Sequence, residues 1–159
     1  MTRLHSVLAL VAALAVCLAA AGVGGFFTSR SVGDWYQQIR KPSFTPPSAL
    51  FGPVWTALYL TMALAAWLVY LRRGSPGVPL ALALFGLQLI LNAGWSALFF
   101  GLRNPGAAFV EIVVLWLAIL ATIVACWRVT PWAGALLLPY LAWVSFASVL
   151  SYSIWSLNR

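Results

Sequence analysis

Residues 34–59 read DWYQQIRKPSFTPPSALFGPVWTALY, a polar, aromatic and proline-rich segment that runs unbroken into an apolar one. Ser43, Thr45, Pro46, Pro47 and Ser48 carry the start signals of a helix, since proline costs nothing in a first turn whose N–H groups lack intrahelical partners. From there the chain stays apolar to Leu71, long enough at about 1.5 Å per residue to cross roughly 30 Å of hydrocarbon. A long loop feeding a membrane span is the unit from which the remaining chain can be read.

Five apolar stretches of spanning length occur, at approximately 6–27, 47–71, 79–101, 105–127 and 132–156, with the long loop 28–46 between the first two. With 64% hydrophobic residues, 7% charged residues and a mean hydropathy of +0.98, the 159-residue chain has too few polar side chains to cover a soluble surface. Strand-like alternation is absent, which argues against a barrel. The expected fold is all-α: a single domain forming a five-transmembrane-helix bundle, integral and multi-pass. The richness in Ala, Leu and Arg points to a bacterial membrane.

The net charge of +7 comes from nine Lys and Arg that sit singly or in pairs at span ends, so no basic face exists for a nucleic acid. Arg3, Arg72, Arg73 and Arg128 fall on one side of the membrane and Arg30, Arg40, Lys41, Arg103 and Arg159 on the other, a split that sets no orientation. His5 is the only histidine, and Cys17 and Cys126 lie in separate spans, so neither a metal-ligand set nor a disulfide framework is expected. Arg3, the apolar run after it and Ala19 to Ala21 resemble a signal peptide. The run continues through Gly22, Gly24 and Gly25, which favours a retained helix that another backbone or a flat ligand can approach.

Within the spans, Pro53 falls about two turns into a helix begun at residue 47 and is expected to bend it, with Trp55 and Tyr59 on a common face. Trp35, Tyr36, Trp67, Trp127, Trp132 and Trp155 lie near span ends, as in an interfacial aromatic belt. In the third span Phe85, Gln88, Asn92, Trp95 and Phe99 recur every three or four residues and form one stripe. Its two amides would be costly against lipid, so the stripe faces the bundle interior, as interhelical glue or as ligand contacts. Ala93, Ala97 and Gly101 recur every fourth residue and allow close helix approach, within the chain or across a homodimer.

Asn104 and Pro105 cap the fourth span, which holds Glu111. An acid within a span is functional by default, but at about two turns from the helix start it can also reach the interface or Arg103. Thr130 and Pro131 open the fifth span, Pro139 bends it, and Trp143, Phe146, Ala147 and Leu150 follow as a stripe. Counted by helical rise, Trp55, Asn92, Trp95 and Ala147 lie roughly 8 to 15 Å below the membrane face that bears the long loop, with Trp143 nearer the middle. Indoles and amides gathered under a basic, aromatic lid describe a pocket for an amphipathic ligand.

WYQQIRKPSFTPP, GPVWTALY, NAGWSALFFG and PYLAWVSFASVLSY, in this order on successive helices, resemble the translocator protein or tryptophan-rich sensory protein (TspO/MBR) family, also called peripheral benzodiazepine receptors. The resemblance covers essentially the whole chain. It implies a five-helix bundle, often a homodimer, that binds porphyrins and haem and, in animals, sterols and benzodiazepine-type drugs. It also implies ligand contacts at Trp55, Asn92, Trp95, Trp143, Ala147 and Leu150, beside which Trp35, Tyr36, Tyr59, Gln88, Phe99 and Phe146 stand as further candidates.

Two departures from the family pattern stand out. Ser156 occupies the place of a basic residue shortly after Tyr152, so the animal sterol-recognition pattern is broken there, although LVYLR at 68–72 fits the same loose pattern. Ala107 stands where animal members tend to have Trp. The resemblance implies a porphyrin or haem as ligand, with no obligatory cofactor and a sensory or regulatory role. Stacking on Trp55, Trp95 and Trp143, with Arg30, Arg40 or Lys41 at the carboxylates, would hold the tetrapyrrole, since His5 lies on the opposite side from the pocket. Light-dependent porphyrin degradation with Trp55 or Trp143 as donor is the alternative that the resemblance offers. Transport of tetrapyrrole or lipid is a third reading, and the chain shows no inverted repeat to support it. Conventional acid–base or nucleophilic catalysis has no candidate residues near the pocket.

Overall fold

The computed structural model describes residues 3–159. Its helices are α1 (Arg3–Ser31), α2 (Trp35–Gln38), α3 (Phe51–Leu71), α4 (Val78–Ser96), α5 (Pro105–Val129), α6 (Pro131–Leu136) and α7 (Leu138–Leu157). Five helical stretches, with α6 and α7 together forming the last, are long and apolar enough to cross a membrane. They close into a ring: α1 packs on α3 and α4, α4 on α5, α5 on α6 and α7, and α6 back on α3. The core between them is built from Met62, Val69, Ile112, Leu115, Ile119, Leu137 and Tyr140, all essentially inaccessible. Many large apolar side chains, Leu8, Ile90 and Leu117 among them, point outward, as expected of a surface whose solvent is lipid.

The prolines act where the chain geometry lets them. Pro46 and Pro47 precede a short 3-10 turn at Ser48–Leu50, so α3 begins only at Phe51 and Pro53 is its third residue. The bend expected at Pro53 therefore has no basis, because in the first turn the missing N–H breaks no helical bond. Pro139 behaves as expected: the last span breaks at Leu137, where a turn separates α6 from α7. Asn104 caps α5 through its side-chain oxygen, which accepts from the Ala107 N–H at 3.0 Å. Arg103, just before it, has φ 52 and leads the chain out of α4 in the left-handed region.

Helix α4 does not end regularly. Ala97–Gly101 forms a π-helical turn in which the Leu102 N–H bonds the Ala97 carbonyl at 2.8 Å, and the extra residue brings Phe99 and Phe100 both inside. The Ser31 hydroxyl donates to the Phe100 carbonyl at 2.6 Å, fixing the end of α1 to this turn. A Cβ on Gly101 would lie 2.8 Å from the Phe27 ring, so this small residue serves the contact with α1 within the chain. Gly24 plays the corresponding part on α1, against Ser96.

Of the glycines the most closely packed is Gly134, where a Cβ would lie 2.6 Å from Trp127 and 3.2 Å from the Ile123 carbonyl. Gly134→Ala must push α6 off α5, a change expected to cost about 1–3 kcal/mol. A thermal melt in detergent should show an earlier transition for this variant than for Gly86→Ala, whose Cβ would meet nothing within 4 Å.

Candidate functional site

The first loop folds onto the end of the bundle as a structured lid. Helix α2 lays Tyr36 against the π-turn, with its ring 6.2 Å from Phe99 and 5.7 Å from Phe100 between centroids. Trp35 meets Phe99 edge-on at 5.6 Å. Burial pushes the Tyr36 phenol above the ordinary tyrosine value, so it stays neutral throughout the physiological range. Lys41 donates its ammonium to the carbonyls of Tyr36 and Ile39 and sits 4.8 Å from the Tyr36 ring centre, which commits this cation to holding the loop. Arg30 lies over the Phe26 ring, while the Arg40 side chain is exposed. The Arg40 main chain is clamped by Asn158, whose Oδ1 accepts from the Arg40 N–H at 3.0 Å and whose Nδ2 donates to its carbonyl at 2.9 Å.

Beneath the lid lies a cavity of about 20 Å³ lined by Tyr36, Phe51, Trp95, Phe99, Phe100, Ala147, Leu150, Ser151 and Ile154. Five of the expected ligand-contacting residues, Tyr36, Trp95, Phe99, Ala147 and Leu150, thus come together on one void. Trp95 stacks on Phe99 at 5.1 Å and 18°. Trp143 and Phe146 form the adjoining wall, the first meeting Phe51 at 5.9 Å and the second meeting Phe44 at 6.3 Å. Phe51, the first residue of α3, lines the void, while the half-exposed Phe44 packs beside it; the space admits about one water molecule.

Deeper in the bundle a second layer forms around Asn92. The Tyr59 hydroxyl donates to Asn92 Oδ1 at 2.7 Å, and Asn92 Nδ2 donates to the Tyr140 hydroxyl at 2.8 Å. Trp55 covers this network, 5.7 Å from the Tyr59 ring and 6.2 Å from that of Tyr140. Gln88 lies deeper still, its Nε2 3.8 Å from Met62 Sδ, away from the cavity. Asn92, Tyr59 and Gln88 are therefore interhelical glue in this closed arrangement.

Glu111 departs from both of its simpler expectations. Arg103 pairs with Asp34 at 3.6 Å, and the Glu111 carboxylate oxygens are buried and without a bonded partner, on the side of α5 that faces Gly94. It does not snorkel to the interface. Of the six belt aromatics, Trp132 and Trp127 are exposed as expected. Tyr36 is instead buried at the cavity, and Trp67 donates its indole N–H to the Ser6 carbonyl at 3.0 Å.

Sequence reasoning missed Phe51, Phe100, Ser151, Ile154 and Tyr140. Phe100 is brought inward only by the π-turn, which has no sequence signature. Ser151 and Ile154 continue the Ala147–Leu150 stripe at helical spacing and could have been read from it. Removing Asn92 should leave the Tyr59 and Tyr140 hydroxyls unpaired in a water-free interior, at a cost of about 1–3 kcal/mol. Asn92→Ala should then lower the detergent melting temperature more than Asn158→Ala, whose exposed side chain bonds only Arg40 of the lid and the Ile154 carbonyl of its own helix. Asn158→Ala should instead speed amide exchange of residues 39–47.

The chain matches the TspO/MBR family over residues 13–156. It is 44% identical over 153 residues to the tryptophan-rich protein TspO of Archaeoglobus fulgidus, covering 96% of this chain and 99% of that one. To the human translocator protein it is 40% identical over 146 residues, covering 88% and 86% of the two chains. To the tryptophan-rich sensory protein of Cereibacter sphaeroides it is 37% identical over 145 residues, covering 91% and 88%. With its family signature running through all five spans, the chain belongs to the TspO/MBR family of membrane proteins.

Proposed function

We propose that the protein is a membrane receptor for porphyrin or haem-type tetrapyrroles, which it binds beneath the first loop in a sensory or regulatory role. The observation that carries this reading is the convergence of Trp95, Phe99 and Tyr36 on one void, with Trp143 in the adjoining wall and Trp55 in the layer beneath. Flat aromatic macrocycles stack on indole and phenyl faces, and such stacking adds about 0.5–1.5 kcal/mol per ring beyond the buried area. The macrocycle's carboxylates would meet Arg40, the exposed cation of the lid.

A tetrapyrrole does not fit a void of about 20 Å³, so binding requires Phe51 to leave its wall and Phe44 to move off Phe146 beside it. Phe44 belongs to the segment between α2 and α3 and Phe51 is the first residue of α3; that segment is anchored by Lys41, by Asn158 and by apolar ring contacts. Ring contacts with the ligand would replace the ones the lid gives up, so opening and binding are coupled. A homodimer through α4 belongs to the same proposal, with Ala93 and Ala97 as its contact residues.

Titration of the detergent-purified protein with protoporphyrin IX in the dark should quench tryptophan fluorescence saturably. Trp143→Phe should weaken the apparent affinity by about two- to tenfold, the loss of one stacking partner. Binding by Trp143→Phe as tight as that of the parent removes Trp143 from the site. No saturable quenching in the parent removes the tetrapyrrole reading.

A further inference from the structure

At the membrane edge opposite the lid, a groove of about 420 Å³ opens between α1, α3 and α4. Its volume lies in the range of ligand sites, about 300–1,000 Å³, and far exceeds the closed void under the first loop. Short side chains, Ala9, Ala12 and Ala13 of α1 and Ala66 of α3, line it between longer ones, Leu8 and Val16 of α1 and Leu82 and Phe85 of α4. Polar side chains occur only at its mouth, His5 and Tyr70. The indole bond from Trp67 to the Ser6 carbonyl holds α1 against α3 here and keeps the mouth in shape.

Two features say what such a groove takes. The first is length. From His5 to Val16 it follows twelve residues of α1, eleven steps or about 16 Å by helical rise, which matches one leaflet of a hydrocarbon core roughly 30 Å thick. The second is charge. Arg3, Arg72, Arg73 and Arg128 all lie at this edge of the membrane, whereas both acids of the chain, Asp34 and Glu111, belong to the half that bears the first loop. The Arg73 guanidinium stands 5.6 Å from the centre of the Tyr70 ring, directly at the groove mouth.

We infer that this groove binds an anionic phospholipid of the adjacent leaflet, with one acyl chain along its alanines and the phosphate at Arg72 and Arg73. Cations near a membrane surface each add about a fivefold preference for an anionic headgroup. The alanine-lined groove gives the chain a channel across three helices, so the lipid is held more firmly than those around the rest of the bundle. This site is distinct from the aromatic void beneath the lid and does not depend on its ligand.

The test uses the full chain in nanodiscs of equimolar phosphatidylglycerol and phosphatidylcholine with identical acyl chains, released into native mass spectrometry. The parent should retain one phosphatidylglycerol in preference to phosphatidylcholine. The double variant Arg72→Gln, Arg73→Gln should lose most of that preference, about fivefold per arginine. Ala12 is exposed and lines the groove, so Ala12→Phe should fill the groove and reduce retention of either lipid without disturbing the core. Equal retention of the two lipids by the parent overturns the inference, as does undiminished phosphatidylglycerol in a folded Ala12→Phe. A preference that survives in the double arginine variant overturns it even if Ala12→Phe fails to fold. Tyr70 belongs to LVYLR, and cholesterol displacing the phosphatidylglycerol when added at equal mole fraction would assign the groove to a sterol instead.

Discussion

A carboxamide in hydrocarbon has no water to fall back on, and Asn92 answers this constraint by bonding α3 and the last span at once. Tyr59 donates a hydrogen bond to it and Tyr140 accepts one from it, so three helices are fixed to each other at one depth. The aromatic layer under the lid rests on this junction. Trp55 packs on both tyrosines, while Trp95, one helical turn beyond Asn92, carries the stack with Phe99. Apolar packing alone would leave helix rotation loosely determined, because lipid competes equally well for every leucine face.

The fold was legible from hydropathy because span length and apolar content are properties of each segment alone. All five spans, the cap at Asn104 and the break near Pro139 follow from local chemistry of that kind. Pro53 was misplaced because the start of α3 depends on how Pro46 and Pro47 extend the chain before the 3-10 turn, which moves that start from residue 47 to Phe51. The amide and tryptophan stripes were visible in the sequence as periodicity. What periodicity could not give was depth order: Gln88, Asn92 and Trp95 share a stripe but occupy the core, the polar junction and the void in turn. Glu111 was ambiguous for a similar reason, since Arg103 had a second carboxylate, Asp34, within its reach.

The closed void gives the lid a definite energetic character. Phe51 supplies one of its walls and the half-exposed Phe44 packs on Phe146 beside it, so ring contacts made at the two ends of one segment keep the void small. The clamp at Asn158 joins this lid to the C-terminal end of α7 through three hydrogen bonds, two to Arg40 and one to the Ile154 carbonyl. The lid is thus tied to the C-terminal end of the chain by contacts that lie outside the core.

The π-turn at Ala97–Gly101 also acts as a length gauge. It absorbs one residue beyond regular helix, and removing that residue would rotate all that follows by about 100° relative to the preceding stripe. Phe100 would turn away from Tyr36, and Arg103 away from Asp34. Substitutions in ALFFG can be absorbed singly by repacking, but a deletion there changes the phase between two halves of the molecule. The spacing from Asn92 to Asn104 is therefore a more stringent requirement of this architecture than the identity of most residues within it.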